Sequence, residues 1–251
     1  ATFPDLKSRS VFITGGGSGI GAALTEAFLR QGAKVAFCQR SDATPFCDQM
    51  EQATGNRPLF LPCDISVTDQ LQLTLSTAAR VHGPISALVN NAANDQRHET
   101  LKTDETFWDW SINVNLRSYF FACQSVIPGM QAAGGGSIIN FSSISYMMAD
   151  KGYAAYITAN AGIVGLTRTL AREFGPDRVR VNAVAPGWVL TDRQKEHWVT
   201  PEALAAHLAR QCLPDPIQPD DMAGIVLFLA SDASRMMTSQ TLILDGGYIS
   251  S

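Results

Sequence analysis

With 251 residues, 45% of them hydrophobic and 17% charged, the chain carries enough apolar surface for a packed core, which excludes both a disordered segment and a disulfide miniprotein. Nineteen Lys and Arg against 23 Asp and Glu leave a net charge of −4, and no basic block offers an electrostatic footprint for nucleic acid. No apolar run approaches the roughly 18 residues of a membrane span, and Ala1-Thr2-Phe3-Pro4-Asp5 lacks both the basic and the apolar part of a signal peptide, so the expected compartment is cytoplasmic. The five cysteines (Cys38, Cys47, Cys63, Cys123, Cys212) are odd in number and never closer than nine residues. They fit neither a disulfide framework nor zinc-ligand spacing, and no metal site is expected.

In chain order, short β-branched and aromatic runs alternate with longer segments whose apolar residues recur at three and four, the signature of parallel βαβ units. The runs predict strands over Val11–Thr14, Lys34–Gln39, Leu59–Pro62, Ala87–Asn90, Ser137–Ser142, Arg180–Ala185 and Thr241–Asp245. Between the first two, Ile20, Leu24, Ala27 and Phe28 share one helical face and Gly32 supplies a stop. Further helices are predicted over Val67–His82, Phe107–Gln131, Tyr153–Phe174 and Asp221–Leu229. No linker divides the chain, so residues 1–251 are expected to form a single α/β domain, a doubly wound seven-stranded parallel sheet with helices on both faces. One stretch breaks the rhythm: four prolines follow Pro186 by Pro219, which predicts a substrate loop or lid around 187–219.

The first strand runs into Thr14-Gly15-Gly16-Gly17-Ser18-Gly19-Ile20-Gly21 and then into a helix. Glycines permit positive φ and close backbone approach, and the free N–H groups of a helix start favour an anion such as pyrophosphate. In this strand-loop-helix context Gly15, Gly17, Ser18, Gly19, Ile20 and Gly21 point to a dinucleotide.

The Gly-x-x-x-Gly-x-Gly spacing resembles the short-chain dehydrogenase/reductase family, a Rossmann-like fold. The resemblance continues through Cys63-Asp64-Ile65, Asn90-Asn91-Ala92-Ala93, Asn113-Val114-Asn115-Leu116, Ser142-Ser143, Arg180-Val181-Asn182, Pro186-Gly187 and Asp245-Gly246-Gly247. It implies an adenine contact from Asp64 and Ile65 and ribose and backbone contacts around Asn91, Ala92 and Ala93. After the sixth strand it implies cofactor contacts at Pro186 and Gly187 and a nicotinamide carboxamide site at Val189 and Thr191. It also implies a homotetramer built through the helices after the fourth and fifth strands and the C-terminal strand, with Ile163, Leu166 and Leu170 compatible either with that interface or with the core.

In NAD-preferring relatives an acidic residue ends the second strand and binds the adenine ribose. Here Gln39 stands there, followed by Arg40. Nothing repels a 2′-phosphate and a guanidinium can pair with it, which favours NADP; with Arg40 solvated and Gln39 on a bare ribose, NAD remains open.

The family's chemistry needs a tyrosine that exchanges a proton with the substrate oxygen, a serine bonded to that oxygen, and a lysine four residues after the tyrosine. Ser143 and Tyr156 match the first two, and Asn115 matches the helix asparagine of the proton relay. Family register alone chooses them over Ser142 and Tyr153. The lysine position is Asn160. Residues 156 and 160 share a helix face, so Asn160 points where the lysine would but brings no charge. Bringing a tyrosine from near 10 to about 7 takes about 4 kcal/mol, much of which the lysine ordinarily supplies. Three readings follow: a working Tyr-x-x-x-Asn enzyme, a weakened variant of an active parent, or an inactive nucleotide-binding module.

The loop Ala93-Asn94-Asp95-Gln96-Arg97-His98 and the loop Gly187-Trp188-Val189-Leu190-Thr191-Asp192-Arg193-Gln194, with Trp198 beyond, set many donors and acceptors beside a flat aromatic face. That suits a small polyhydroxylated ligand better than a steroid or acyl chain. Asn94, Arg97, His98, Ser143, Tyr156, Trp188 and Gln194 are the candidate substrate contacts. Both strings resemble those of bacterial aldose dehydrogenases, which oxidise the anomeric carbon to a lactone. The alternative within the fold is a 3-oxoacyl or general ketone reductase.

Overall fold

The computed structural model describes residues 1–148 and 150–249. Its strands are β1 (Ser10–Thr14), β2 (Lys34–Gln39), β3 (Leu59–Pro62), β4 (Ala87–Asn90), β5 (Gly136–Phe141), β6 (Val179–Pro186) and β7 (Thr241–Leu244). They form one parallel sheet in the order β3-β2-β1-β4-β5-β6-β7. Every strand expected from the pattern is present. The order reverses between β1 and β4, which opens a crevice above their carboxyl ends.

The helices are α1 (Gly19–Arg30), α2 (Thr44–Thr54), α3 (Thr68–His82), α4 (Glu105–Ile112), α5 (Ser118–Ala132), α6 (Ser145–Met148), α7 (Ala154–Phe174), α8 (Asp192–His197), α9 (Pro201–Leu208) and α10 (Asp221–Ala230). Side chains alternate across the sheet. Val11 and Ile13 of β1 pack with Leu24 and Phe28 of α1 and Met222 and Val226 of α10. Phe12 and Leu88 face Leu71 and Leu75 of α3, Val126 of α5 and Leu170 of α7. Burial on both faces is why so few residues of this chain are charged. Among the described residues no helix is long and apolar enough to cross a membrane.

Three differences from the pattern have local causes. α2 has no counterpart in the predicted elements; Pro45 occupies its first turn, where the missing N–H is harmless, and Gly55 stops the helix at φ +74°. The helix expected over 107–131 is interrupted at Asn113–Arg117 by a π-turn, where the Asn115 amide donates to the freed Ser111 carbonyl at 2.9 Å. Ile163 and Leu170 are buried, and Leu166 packs on the same core, so this face of α7 is intramolecular.

Candidate active site

A cavity of about 850 Å³ lies above the carboxyl ends of β1, β4, β5 and β6, at the topological switch point. Thr14 ties the first two of these together, its hydroxyl accepting from the backbone of Asn91 (2.9 Å) and Ala92 (3.0 Å). The Asn91 amide donates to the carbonyls of Thr14 (2.9 Å) and Gly15 (3.3 Å), so this side chain braces the glycine loop and leaves backbone for a ligand.

The glycine loop fits a pyrophosphate. Gly15 and Gly19 hold φ of +71° and +51°, a region closed to most side chains. Ser18 caps α1 without a side-chain bond, so the first N–H groups of the helix have no capping oxygen from this residue. Gly15, Ser18, Ile20 and Gly21 line the cavity, followed by Gln39, Arg40, Asp64 and Ile65 at one end and Pro186, Gly187, Val189 and Thr191 along the β6 wall. Gly17 and Gly19 do not line it. The Gly17 N–H instead donates to Gln39 Oε1 (3.1 Å), and a side chain at Gly19 would meet the Thr191 methyl at 3.1 Å. Gln39 also donates to Ser41, so its amide braces the loop. Arg40 makes no ion pair among the described residues.

At the centre, α7 carries Tyr156 and Asn160 one turn apart, and β5 delivers Ser143 to the same wall. The structure separates the two close pairs. The Ser142 hydroxyl turns inward to the Asn160 carbonyl (3.0 Å) and the Tyr153 hydroxyl donates to Asp150 (3.0 Å). Ser143, Tyr156 and Asn160 instead line the cavity together. Burial pushes the Tyr156 phenol above its ordinary value near 10 and the Asp95 charge adds to the rise; the polar side chains of Ser143 and Asn160 and the charge of Arg97 oppose it. Asn160 is buried and donates to the Tyr156 carbonyl at 2.9 Å. The Asn115 amide is fully engaged, accepting from the Asn94 N–H (2.7 Å) and donating to Asn94 and Ser111 carbonyls; it fixes the β4 loop.

The far end is closed by the segment after β6, in which Val189 makes a bridge with Ile217. Asp95 accepts from Gln194 (2.9 Å) and pairs with Arg193 (3.2 Å), and Gln194 accepts from the Trp188 indole N–H (2.9 Å). The Arg97 guanidinium lies 3.6 Å from the Tyr153 ring centre and 5.3 Å from that of Trp198. Asn94, Arg97, Trp188 and Gln194 all line the cavity. His98 does not: it packs on Phe107 at 4.7 Å and accepts from the Ala155 N–H at 3.3 Å, pinning the loop to the start of α7. Asp95, Tyr119, Tyr153, Trp198, His207 and Tyr248 line the cavity too, although the sequence reading leaves them out of the site. Asp95 and Trp198 stand in strings already marked as polar loops, whereas no local signal connects His207 or Tyr248 to a site so distant along the chain.

The family model described as enoyl-(acyl carrier protein) reductase matches residues 15–249. Over 247 residues the chain is 48% identical to "Probable galactose dehydrogenase GalD" of Rhizobium meliloti, covering 98% of this chain and 96% of that protein. It is 45% identical over 249 residues to the D-xylose 1-dehydrogenase of Caulobacter vibrioides, covering 99% and 98%. A 3-oxoacyl-[acyl-carrier-protein] reductase of Thermotoga maritima is 34% identical, covering 97% and 99%. Among solved structures, a short-chain type dehydrogenase/reductase from Mycobacterium ulcerans superposes with a TM-score of 0.92 at 26% identity, covering 99% and 91%. A nucleotide cradle at the switch point and near-complete similarity to these proteins place the chain in the short-chain dehydrogenase/reductase family, as a nicotinamide-dependent oxidoreductase of CH–OH groups.

Proposed function

We propose that the enzyme oxidises an aldose at its anomeric carbon, in the manner of an aldose 1-dehydrogenase. The observation that carries this reading is the wall facing Tyr156 and Ser143: Asn94, Arg97, Gln194 and the Trp188 indole combine dense hydrogen bonding with an aromatic surface. The two relatives at 45–48% identity bear the names of a galactose and a xylose dehydrogenase, whereas the acyl-carrier-protein reductase stands at 34%.

In this reading Tyr156 takes the proton of the substrate hydroxyl, Ser143 holds the same oxygen, and Asn160 with Asn115 orders the surroundings of the phenol. The bound nicotinamide supplies the hydride acceptor. Gly15, Ser18, Ile20 and Gly21 would hold its pyrophosphate, Asp64 and Ile65 the adenine, and Pro186, Gly187, Val189 and Thr191 the nicotinamide end. Residues 187–219 act as the lid of a single nucleotide-binding domain. A panel of galactose, xylose, arabinose, fucose and sugar acids with both cofactors across pH 7 to 10 tests the assignment. Turnover of an aldose to its lactone is the expected result; turnover of 3-oxoacyl thioesters alone overturns it.

The cofactor is proposed to be NADP, because Arg40 lines the cavity without an acidic partner among the described residues and the Gln39 amide is already engaged. Arg40→Ala is expected to raise the KM of NADP and not that of NAD; equal losses sink the phosphate role. A homotetramer in the cytoplasm completes the proposal. Trp108 of α4, Phe120 of α5 and Ile243 of β7 are apolar and exposed, and light scattering reads the assembly directly.

A further inference from the structure

Behind Trp188 stands a column of rings drawn from separate parts of the chain. His207 of α9 meets the indole edge to face, with ring centres 5.1 Å apart and planes at 78°. It stacks on Tyr248 at 4.3 Å and 14°, and the Arg210 guanidinium lies over the Tyr248 ring at 4.3 Å. Tyr248 is itself fixed. Asp245 accepts from the backbone of Gly247 (2.8 Å) and Ile249 (2.7 Å), and the Gly246 carbonyl accepts from Cys212 (2.9 Å) and Leu213 (3.0 Å), just past α9. Gln194 holds the indole N–H, so Trp188 is held both by this bond and by its contact with His207. All three rings line the cavity that contains Tyr156.

His207 is an unexpected choice for a packing role. Its Nε2 is buried with no partner, a defect that a phenylalanine would not carry. A ring in this place serves the wall only while it stays neutral, since it sits beside the Arg210 charge.

We infer that His207 is a positioning residue for substrate specificity: backed by Tyr248, it holds the Trp188 indole as a stacking face for the apolar C–H side of a pyranose ring. The inference rests on the aldose reading of this site. A pyranose presents contiguous C–H groups on one side and hydroxyls at its rim, which matches a rigid indole flanked by Asn94, Arg97 and Gln194. An open-chain polyol with the same hydroxyls has no such fixed face, so the column discriminates cyclic from acyclic ligands.

The test uses the full-length protein loaded with cofactor, with D-galactose and galactitol as probes, read by calorimetry as well as by turnover. In His207→Ala the Kd and KM of galactose are expected to rise about five- to tenfold, the cofactor KM staying within about twofold, and the preference over galactitol shrinking. His207→Phe restores the galactose affinity, and Tyr248→Leu, at the other end of the column, reproduces the same split. The pH profile gives an independent reading. Burial and the Arg210 charge lower the His207 pKa from its ordinary 6.5, while the nearby Gln211 side chain and the Asp245 charge oppose them. The galactose KM should therefore climb on the acid side in the wild type and stay flat in His207→Phe. Unchanged galactose affinity in His207→Ala, parallel loss of cofactor and sugar, or failure of the phenylalanine to restore binding overturns the inference. A wild type that binds galactose without oxidising it removes the reaction assignment and leaves this one standing; a wild type that binds no aldose removes both.

Discussion

Asn160 leaves the Tyr156 phenol, the proposed base, without an adjacent cation on its own helix. The side chain is buried and donates to the Tyr156 carbonyl one turn back, so it is held in place without favouring the phenolate by charge. With burial and Asp95 both raising the phenol, the proposed proton abstraction by Tyr156 is expected to be faster at alkaline pH. Asn160→Lys is expected to raise kcat for sugar oxidation at pH 7 by about ten- to a hundredfold, the gain shrinking with rising pH as the wild-type tyrosine begins to ionise unaided. Equal rates at pH 7 would mean that the hydrogen bonds already suffice. Asp95 acts in the opposite direction. Asp95→Asn keeps an oxygen for Gln194 and removes the charge that opposes Tyr156 ionisation, so the acid limb of the kcat–pH profile should move to lower pH. Arg97→Ala should move it the other way.

At the level of elements, parallel strands end together and deliver their following loops to one rim. β5 supplies Ser143, α7 supplies Tyr156, and Ser142 bonds the Asn160 carbonyl, so strand and helix are locked in register. Beneath them Asn90, Asn140 and Thr167 form a buried network joining β4, β5 and α7, with bonds of 2.9 and 3.0 Å. The segment after β6 is held by fewer groups: Asp95 to Arg193 and Gln194, Arg97 to Trp198, and His207 to Tyr248. Gln194→Ala cuts the central link and leaves the Trp188 indole N–H without its acceptor. Limited proteolysis within 187–219 is expected to accelerate severalfold while the sheet stays intact, and the sugar KM to rise more than the cofactor KM.

For the whole molecule, two histidines contribute to the acid side of stability. Burial holds His82 and His207 below the ordinary 6.5, so the unfolded chain takes up protons first as pH falls. Stability is complete above about pH 6.5 and declines toward the lower folded-state values; the melting temperature should drop between pH 7 and 5.5, and by less in a His82→Phe/His207→Phe variant. Much of this fold was legible along the chain. Strands buried on both faces need unbroken apolar runs, α1 shows its inner face at every third and fourth residue, and the Gly15–Gly21 loop occupies the one junction where a backbone can approach a pyrophosphate. The pair proposed for catalysis, Ser143 and Tyr156, was marked in the sequence only through spacing; that Ser142 and Tyr153 are engaged elsewhere is a fact of three dimensions. Composition and periodicity thus determined a parallel sheet with a nucleotide loop, because burial and backbone conformation act on neighbouring residues. Tertiary structure alone decided that His98 braces a helix start, that Asp95 faces Tyr156, and that Tyr248 reaches Trp188 through His207, because those contacts join residues far apart in sequence and leave no periodic trace.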